Sequence, residues 1–163
     1  MERVSLKYLK WGFVFLYVHL TVGIDLLPDF VGALLIYASV QAHASQTEVE
    51  RRIKPLFLVM AVDYFFHWIF RFDIGLESLL MTVISVYAIY VLLGEVAGRI
   101  QERQPERAKQ LGTIRTCNVV LQAIIFLVSA YGYSELNTVL ALVSVGMLIA
   151  MLVVVCGIQV VED

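Results

Sequence analysis

The chain has 163 residues, of which 60% are hydrophobic and 16% are charged, and its formal net charge is −2. Soluble domains are about 45–50% apolar and about 25% charged, so this composition excludes an ordinary water-soluble domain and favours a membrane protein. The mean hydropathy of +0.83 agrees with that interpretation. The sequence leaves no stretch for a soluble catalytic or nucleic-acid-binding module, and we expect no nucleic-acid partner.

Six apolar segments follow one another along the chain, and most approach the length of about 20 residues that a membrane-spanning helix needs. They predict helices over about residues 8–26, 28–44, 55–72, 78–97, 111–131 and 136–158. The gaps at 45–54 and 98–110 are polar and charged, whereas the other three turns are short. The sequence therefore predicts one all-α integral membrane domain over residues 1–163, built as three helical hairpins.

Basic residues are distributed unevenly between the two sides of this topology. Of the 12 lysines and arginines, all but Arg71 fall before or at the start of helix 1 or in and beside the two long loops. The short turns on the other side are acidic. Because positively charged loops stay in the cytoplasm, we expect both termini to be cytoplasmic. Topology and contact with anionic lipid explain the basic loops without a nucleic-acid ligand.

The turn between predicted helices 1 and 2 reads L-P-D-F-V-G at residues 27–32. Proline suits the first turn of a helix, and an acid there faces the positive end of the helix dipole. Asp25 and Asp29 either serve this hairpin structurally or shape an entrance for cations. With its flanking apolar segments, over roughly residues 14–45, the turn resembles that of small multi-helix membrane proteins of Gram-positive bacteria, whose function is unknown and in which an L-P-D-F-[IV]-G turn joins the first two helices. The resemblance implies a multi-pass protein of the bacterial plasma membrane and implies no chemistry.

The helix predicted over 55–72 carries three ionisable residues in an apolar, aromatic run. Asp63, His67 and Arg71 are spaced four residues apart and therefore share one face of the helix. Asp63 falls near the middle of the predicted span, where an ionised acid costs at least about 2.5 kcal/mol. It must be protonated, paired or facing water. His67, one turn away, is the expected partner, and such a pair suits the handling of a proton or a cation.

Further polar residues are candidates for the same interior. His19 on predicted helix 1 and Gln122 on predicted helix 5 could join the pair, and His19, Asp63 and His67 are the expected ligands if a metal is bound. Arg71 either pairs with the acids of its own turn or reaches back toward His67. The alternative is a polar cluster that only holds the helices together through interhelical hydrogen bonds.

Small residues at helical spacing predict close packing of helices. Gly94 and Gly98 form a G-x-x-x-G pair in predicted helix 4, and Gly146 and Ala150 form a similar pair in predicted helix 6. Such pairs let two helix backbones approach closely. The packing could be inside one monomer or between monomers of a homo-oligomer.

The sequence carries no phosphate-binding loop, no H-E-x-x-H and no G-x-S-x-G motif, so we expect no enzyme and no cofactor. Its residues favour a transporter of a small solute or ion, or the membrane substrate-binding component of one. Asp63 and His67 would be the proton- or cation-handling pair. The alternative is a non-transporting scaffold or regulatory subunit of a partner complex in the membrane. The lipid bilayer is the expected partner in either case.

Overall fold

The structure, a computed structural model, describes residues 3–17, 21–22, 24–25, 28–42, 47–70, 75–131 and 134–158. In this part of the chain there are six helices: α1 Arg3–Tyr17, α2 Asp29–Gln41, α3 Glu48–Phe70, α4 Gly75–Ile100, α5 Pro105–Tyr131 and α6 Ser134–Cys156. Two short strands, β1 Thr21–Val22 and β2 Ile24–Asp25, pair in antiparallel fashion between α1 and α2. The prediction of an α-helical architecture is confirmed.

Four of these helices are long and apolar enough to cross a membrane, and the candidate spans are Glu48–Phe70, Glu77–Ile100, Pro105–Val128 and Thr138–Cys156. Helix α2 is also apolar, but its 13 residues reach only about 20 Å at the rise of an α-helix. That length is short of the hydrocarbon core of about 30 Å. Large apolar side chains cover the outer surface of the long helices, as Leu142 and Val153 do. The protein is therefore an α-helical membrane protein.

The segment after α1 differs from the prediction. Helix α1 ends at Tyr17, whereas a helix was expected to continue to residue 26. The strands β1 and β2 carry Thr21, Val22 and Ile24, and these β-branched residues favour extended backbone. The segment is apolar, but the prediction of a helix was wrong for the residues in the two strands.

Helix α3 begins at Glu48 rather than at residue 55. The N–H of Thr47 donates to Glu50 Oε2 over 3.0 Å, and the N–H of Glu50 donates to Thr47 Oγ1 over 3.1 Å. This reciprocal capping box satisfies two donors of the first turn, so the helix starts well before Pro55. Helix α5 likewise starts earlier than predicted, with Pro105 in its first position, where a missing N–H is tolerated.

The helices form a closed ring, because each packs against its neighbour in chain order and α6 packs back against α1. From α3 to α6, short connections make each helix antiparallel to the next one in the chain. We call the end at which α3 begins at Glu48 and α4 ends at Ile100 the basic end. The opposite end, where α3 ends at Phe70 and α4 begins at Gly75, is called the cavity end.

The half of the ring toward the basic end is filled by apolar side chains. Every helix contributes to this core, and its fully buried members include Leu9, Phe13, Ile36, Phe57, Leu93, Leu111 and Val155. In a membrane such packing stabilises the bundle mainly through van der Waals contacts. The half toward the basic end is therefore closely packed and supports the half toward the cavity end.

Gly12 and Gly32 bring α1 and α2 into backbone contact. A Cβ atom on Gly32 would lie 2.8 Å from the Gly12 carbonyl oxygen and 2.8 Å from the amide nitrogen of Leu16. In the same interface the Ser39 hydroxyl donates to the Ser5 carbonyl oxygen over 2.8 Å. Close packing over small residues does occur in this protein, but between two glycines that were not predicted.

The predicted packing residues have other surroundings. No atom of a neighbouring helix in the described part of the chain lies within 4 Å of a Cβ built on Gly98 or Gly146, and Ala150 is exposed. Gly94 makes room for the guanidinium of Arg115 on α5. Within the described residues, therefore, Gly98, Gly146 and Ala150 do not join helices of one monomer. Packing between monomers stays a prediction.

Candidate functional site

A partly open cavity of about 750 Å³ lies in the half of the ring toward the cavity end. All six helices contribute to its lining. The polar lining residues are Tyr17, Asp29, Asp63, Tyr64, His67, Ser78, Thr82, Ser85, Gln122 and Ser144. No lysine or arginine is among the described residues that line it. The carboxylates of Asp29 and Asp63 therefore give the cavity an acidic character.

Asp63 and His67, the pair predicted from the sequence, lie side by side in this cavity. His67 Nδ1 is 3.6 Å from Asp63 Oδ2 and 3.1 Å from the Asp63 carbonyl oxygen. A carbonyl oxygen can only accept a hydrogen bond, so Nδ1 carries a proton and, in the neutral ring, Nε2 keeps its lone pair. The imidazole is thus held by its own helix and retains one free ligand atom.

Asp63 lies nearer to the cavity end of α3 than to its start. Because α3 runs from Glu48 to Phe70, Asp63 lies about 10 Å from the cavity end of the helix and about 22 Å from its start. The acid therefore sits in the last third of the helix, within reach of residues at the start of α4. Its depth near the middle of the membrane span stays a prediction.

Glu77, in the first turn of α4, completes what we call the Asp63 cluster: Asp63, His67 and Glu77. Each side chain offers one ligand atom, and these three atoms all lie within 4.8 Å of one another. Two carboxylates this close repel each other unless a proton or a cation lies between them. The cluster can therefore hold a shared proton or bind a cation.

The remaining sequence candidates are Gln122, His19 and Arg71. Gln122 lines the cavity from α5, as its prediction required. Asn118, one turn away, is only 2% exposed and accepts a hydrogen bond of 3.0 Å from the Tyr17 hydroxyl, so its role is to join α5 to α1. His19 and Arg71 lie outside the described residues, and the roles predicted for them stay predictions.

Asp29, from the turn between the first two helices, lies on the cavity wall. It also lines a second, smaller pocket of about 190 Å³ that it shares with His67. The ring of Phe30 packs edge-on against Phe65 with a centroid distance of 5.3 Å, which fixes the start of α2 against α3. Asp29 therefore borders both spaces, and the two interpretations of this turn stay predictions. The side chain of Asp25 lies outside the described residues.

At the basic end, a buried ion pair joins α3 to α4. Glu50 is only 1% exposed, and its Oε2 atom lies 2.5 Å from Arg99 Nη2. Thr47 Oγ1 donates a further hydrogen bond of 2.8 Å to Glu95. This network, together with the apolar core, separates the cavity from the basic end.

Two features of the site were missed by the sequence analysis. Ser78, Thr82 and Ser85 lie on one face of α4 and line the cavity. Their spacing of four and then three residues in an otherwise apolar helix is the signal that could have identified that face. Glu77 belongs to one of the short acidic turns, and the sequence carries no sign that it contacts Asp63. The hairpin of α3 and α4 brings them together.

Comparisons with protein-family models, with curated proteins and with solved structures find no match to this chain. The cavity and the Asp63 cluster are therefore the features of the molecule that bear on its function. Both lie among described residues of the helices.

Proposed function

We propose that this protein binds a small cation or cationic solute in its cavity and acts as a transporter, or as the membrane substrate-binding component of one. Asp63 and His67 handle the proton or cation, and Glu77 completes their cluster. The observation that supports this proposal is the cavity of about 750 Å³, on which all six helices converge and whose charged lining is acidic. Pockets for small ligands typically have volumes of about 300–1,000 Å³.

A polar cluster that merely held helices together would not need such a space. Asn118 is an example of that purely structural role, because it is buried away from the cavity and accepts a hydrogen bond from the Tyr17 hydroxyl. Asp63, His67 and Gln122 instead border open volume. Their position favours a role in binding.

The charges at the basic end support an orientation. Arg99, Arg103 and Arg107 lie at or near that end, so the positive-inside rule favours a cytoplasmic position for it and for both termini. Helices α1 and α2 then form a shorter hairpin beside the four longer helices. The cavity would open to the outside of a bacterial plasma membrane, the location that the turn at residues 27–32 implies.

Uptake into proteoliposomes tests the proposal. The panel of probes is Na⁺, K⁺, methylammonium, choline and Mn²⁺. We expect Asp63→Asn to lower the uptake of the transported cation at least about tenfold, because losing one charge contact of about 1.4 kcal/mol already has that effect. Glu102→Gln makes the same chemical change at an exposed position beyond α4 and should leave uptake unchanged.

Two results would contradict the proposal. One is equal uptake by the wild type and Asp63→Asn. The other is the absence of uptake and of any cation-induced thermal stabilisation for every probe in the wild type. Size-exclusion profiles of all three proteins establish that the variants are folded.

A scaffold or regulatory role is the second candidate, and the open space beside Gly98 on α4 and beside Gly146 on α6 is the observation that favours it. On such a surface a helix of another subunit could approach closely. A stoichiometric membrane partner that is lost with Gly146→Leu, but retained with Asp63→Asn, would support this role. Retention of the partner by both variants would count against it.

A further inference from the structure

The composition of the Asp63 cluster narrows the class of cation, provided that the proposed function holds. We propose that Asp63, His67 and Glu77 bind a divalent transition-metal ion, such as Mn²⁺, Co²⁺ or Zn²⁺, at the edge of the cavity. The three residues come from the last two turns of α3 and the first turn of α4. Two helix ends therefore hold the ligands.

The distances suit one ion. Metal–ligand bonds to imidazole nitrogen and carboxylate oxygen are about 2.0–2.2 Å long, so ligand atoms on opposite sides of an ion lie about 4 Å apart. The ligand atoms of the cluster lie within 4.8 Å of one another. A small rotation of the side chains would bring all three into the first coordination shell.

The imidazole distinguishes this set from a cluster of acids. Mg²⁺ and Ca²⁺ prefer oxygen ligands alone, whereas a nitrogen ligand favours first-row transition metals and zinc. His67 Nδ1 donates to the Asp63 carbonyl oxygen at 3.1 Å, so the lone pair that can bind a metal ion is on Nε2. A histidine whose other nitrogen donates to a carbonyl group is the usual arrangement at metal sites.

The charges also fit a divalent ion. Two carboxylates and a neutral imidazole carry two negative charges, which a divalent ion balances. A monovalent ion would leave one negative charge uncompensated in partly apolar surroundings, at a cost in free energy. Any proton held between the two acids would pass to water when the metal binds. The adjoining cavity has room for the water molecules that complete the coordination shell.

Calorimetric titration with Co²⁺ alone tests this inference on the full chain, purified in detergent without a polyhistidine tag. We expect one Co²⁺ ion per chain. We expect His67→Gln and Glu77→Gln each to weaken binding at least about tenfold, the effect seen when a metal site loses part of its ligand environment. Glu106→Gln changes an exposed carboxylate at the start of α5 and should leave binding unchanged. Thermal unfolding without metal checks that each variant is folded.

The outcomes separate this inference from the proposed function. Co²⁺ binding that both His67→Gln and Glu77→Gln weaken, and that Mg²⁺ does not displace at equal concentration, supports it. Binding that neither variant weakens, or a preference for Mg²⁺, overturns it. If Co²⁺ does not bind but a monovalent or organic cation is taken up in a manner that needs Asp63, the metal inference fails and the proposed function stands. If no cation of any kind binds, both fail.

Discussion

At the scale of a single residue, Gly32 shows that the neighbouring atoms determine whether a glycine is required for helix packing. Its missing side chain is required because the backbone atoms of Gly12 and Leu16 occupy the space that a Cβ would need. Gly146 sits in an equally apolar helix with open space beside it. The sequence presents both as glycines in apolar helices, so the packing partner could not be predicted from it.

Gly32→Ala should therefore destabilise the protein by about 1–3 kcal/mol, the usual cost of forcing an extra methyl group into a filled space. Gly146→Ala adds the same methyl group where nothing lies within 4 Å, and it should leave stability unchanged or raise it by up to about 1 kcal/mol. Thermal unfolding in detergent measures both. An equal loss for the two variants would show that α1 and α2 do not cross as described.

At the scale of elements, hydropathy located the helices and local chemistry set their ends. The apolar runs predicted α2 to α6 within several residues, because membrane helices must be long and apolar. The start of α3 was missed, since the capping box of Thr47 and Glu50 lies in a polar stretch that hydropathy does not score. Glu50 has a second task, because its side chain also pairs with Arg99 of α4.

Glu50→Ala should consequently cost about 3 kcal/mol, the lower part of the range for removing one partner of a buried pair. The lower part applies because the side chain of Arg99 is 22% exposed and can turn toward water. Glu48→Ala is the matched control. Glu48 pairs with Arg52 at 3.7 Å with both side chains 83% exposed, and its loss should cost less than about 0.5 kcal/mol. Similar unfolding temperatures for the two variants would contradict the buried network.

At the scale of the whole molecule, the ring divides into a packed half and a half that holds the cavity. The sequence predicted part of this site: Asp63 and His67 are one turn apart on one helix, so their contact follows from helical spacing alone. Asp29 lines the same cavity from α2, and Glu77 reaches Asp63 and His67 from α4. Their contribution depends on how the helical hairpins pack against one another. The hydrophobic pattern does not predict that packing, because every helix is apolar on most of its surface.

The division predicts which positions water reaches. In a chain with Cys117→Ser and Cys156→Ser, we expect Ser85→Cys to react with a membrane-impermeant thiol reagent added from the cavity side. Val83→Cys should react at least about tenfold more slowly, because a thiol in lipid does not ionise. Ser85 lines the cavity, whereas Val83 is 57% exposed on the outer surface. Equal labelling rates would show that the cavity does not admit water.

The packed half has a consequence for the membrane potential. If water fills the cavity down to the Asp63 cluster, the electric field falls almost entirely across the apolar core between the cluster and the basic end. Carrying one elementary charge through the whole potential is worth about 2.3 kcal/mol per 100 mV. The binding of a cation at the cluster would then depend little on the membrane potential. Movement of the cation from the cluster to the basic end would be the electrogenic step. A membrane potential that is negative inside the cell would favour this step.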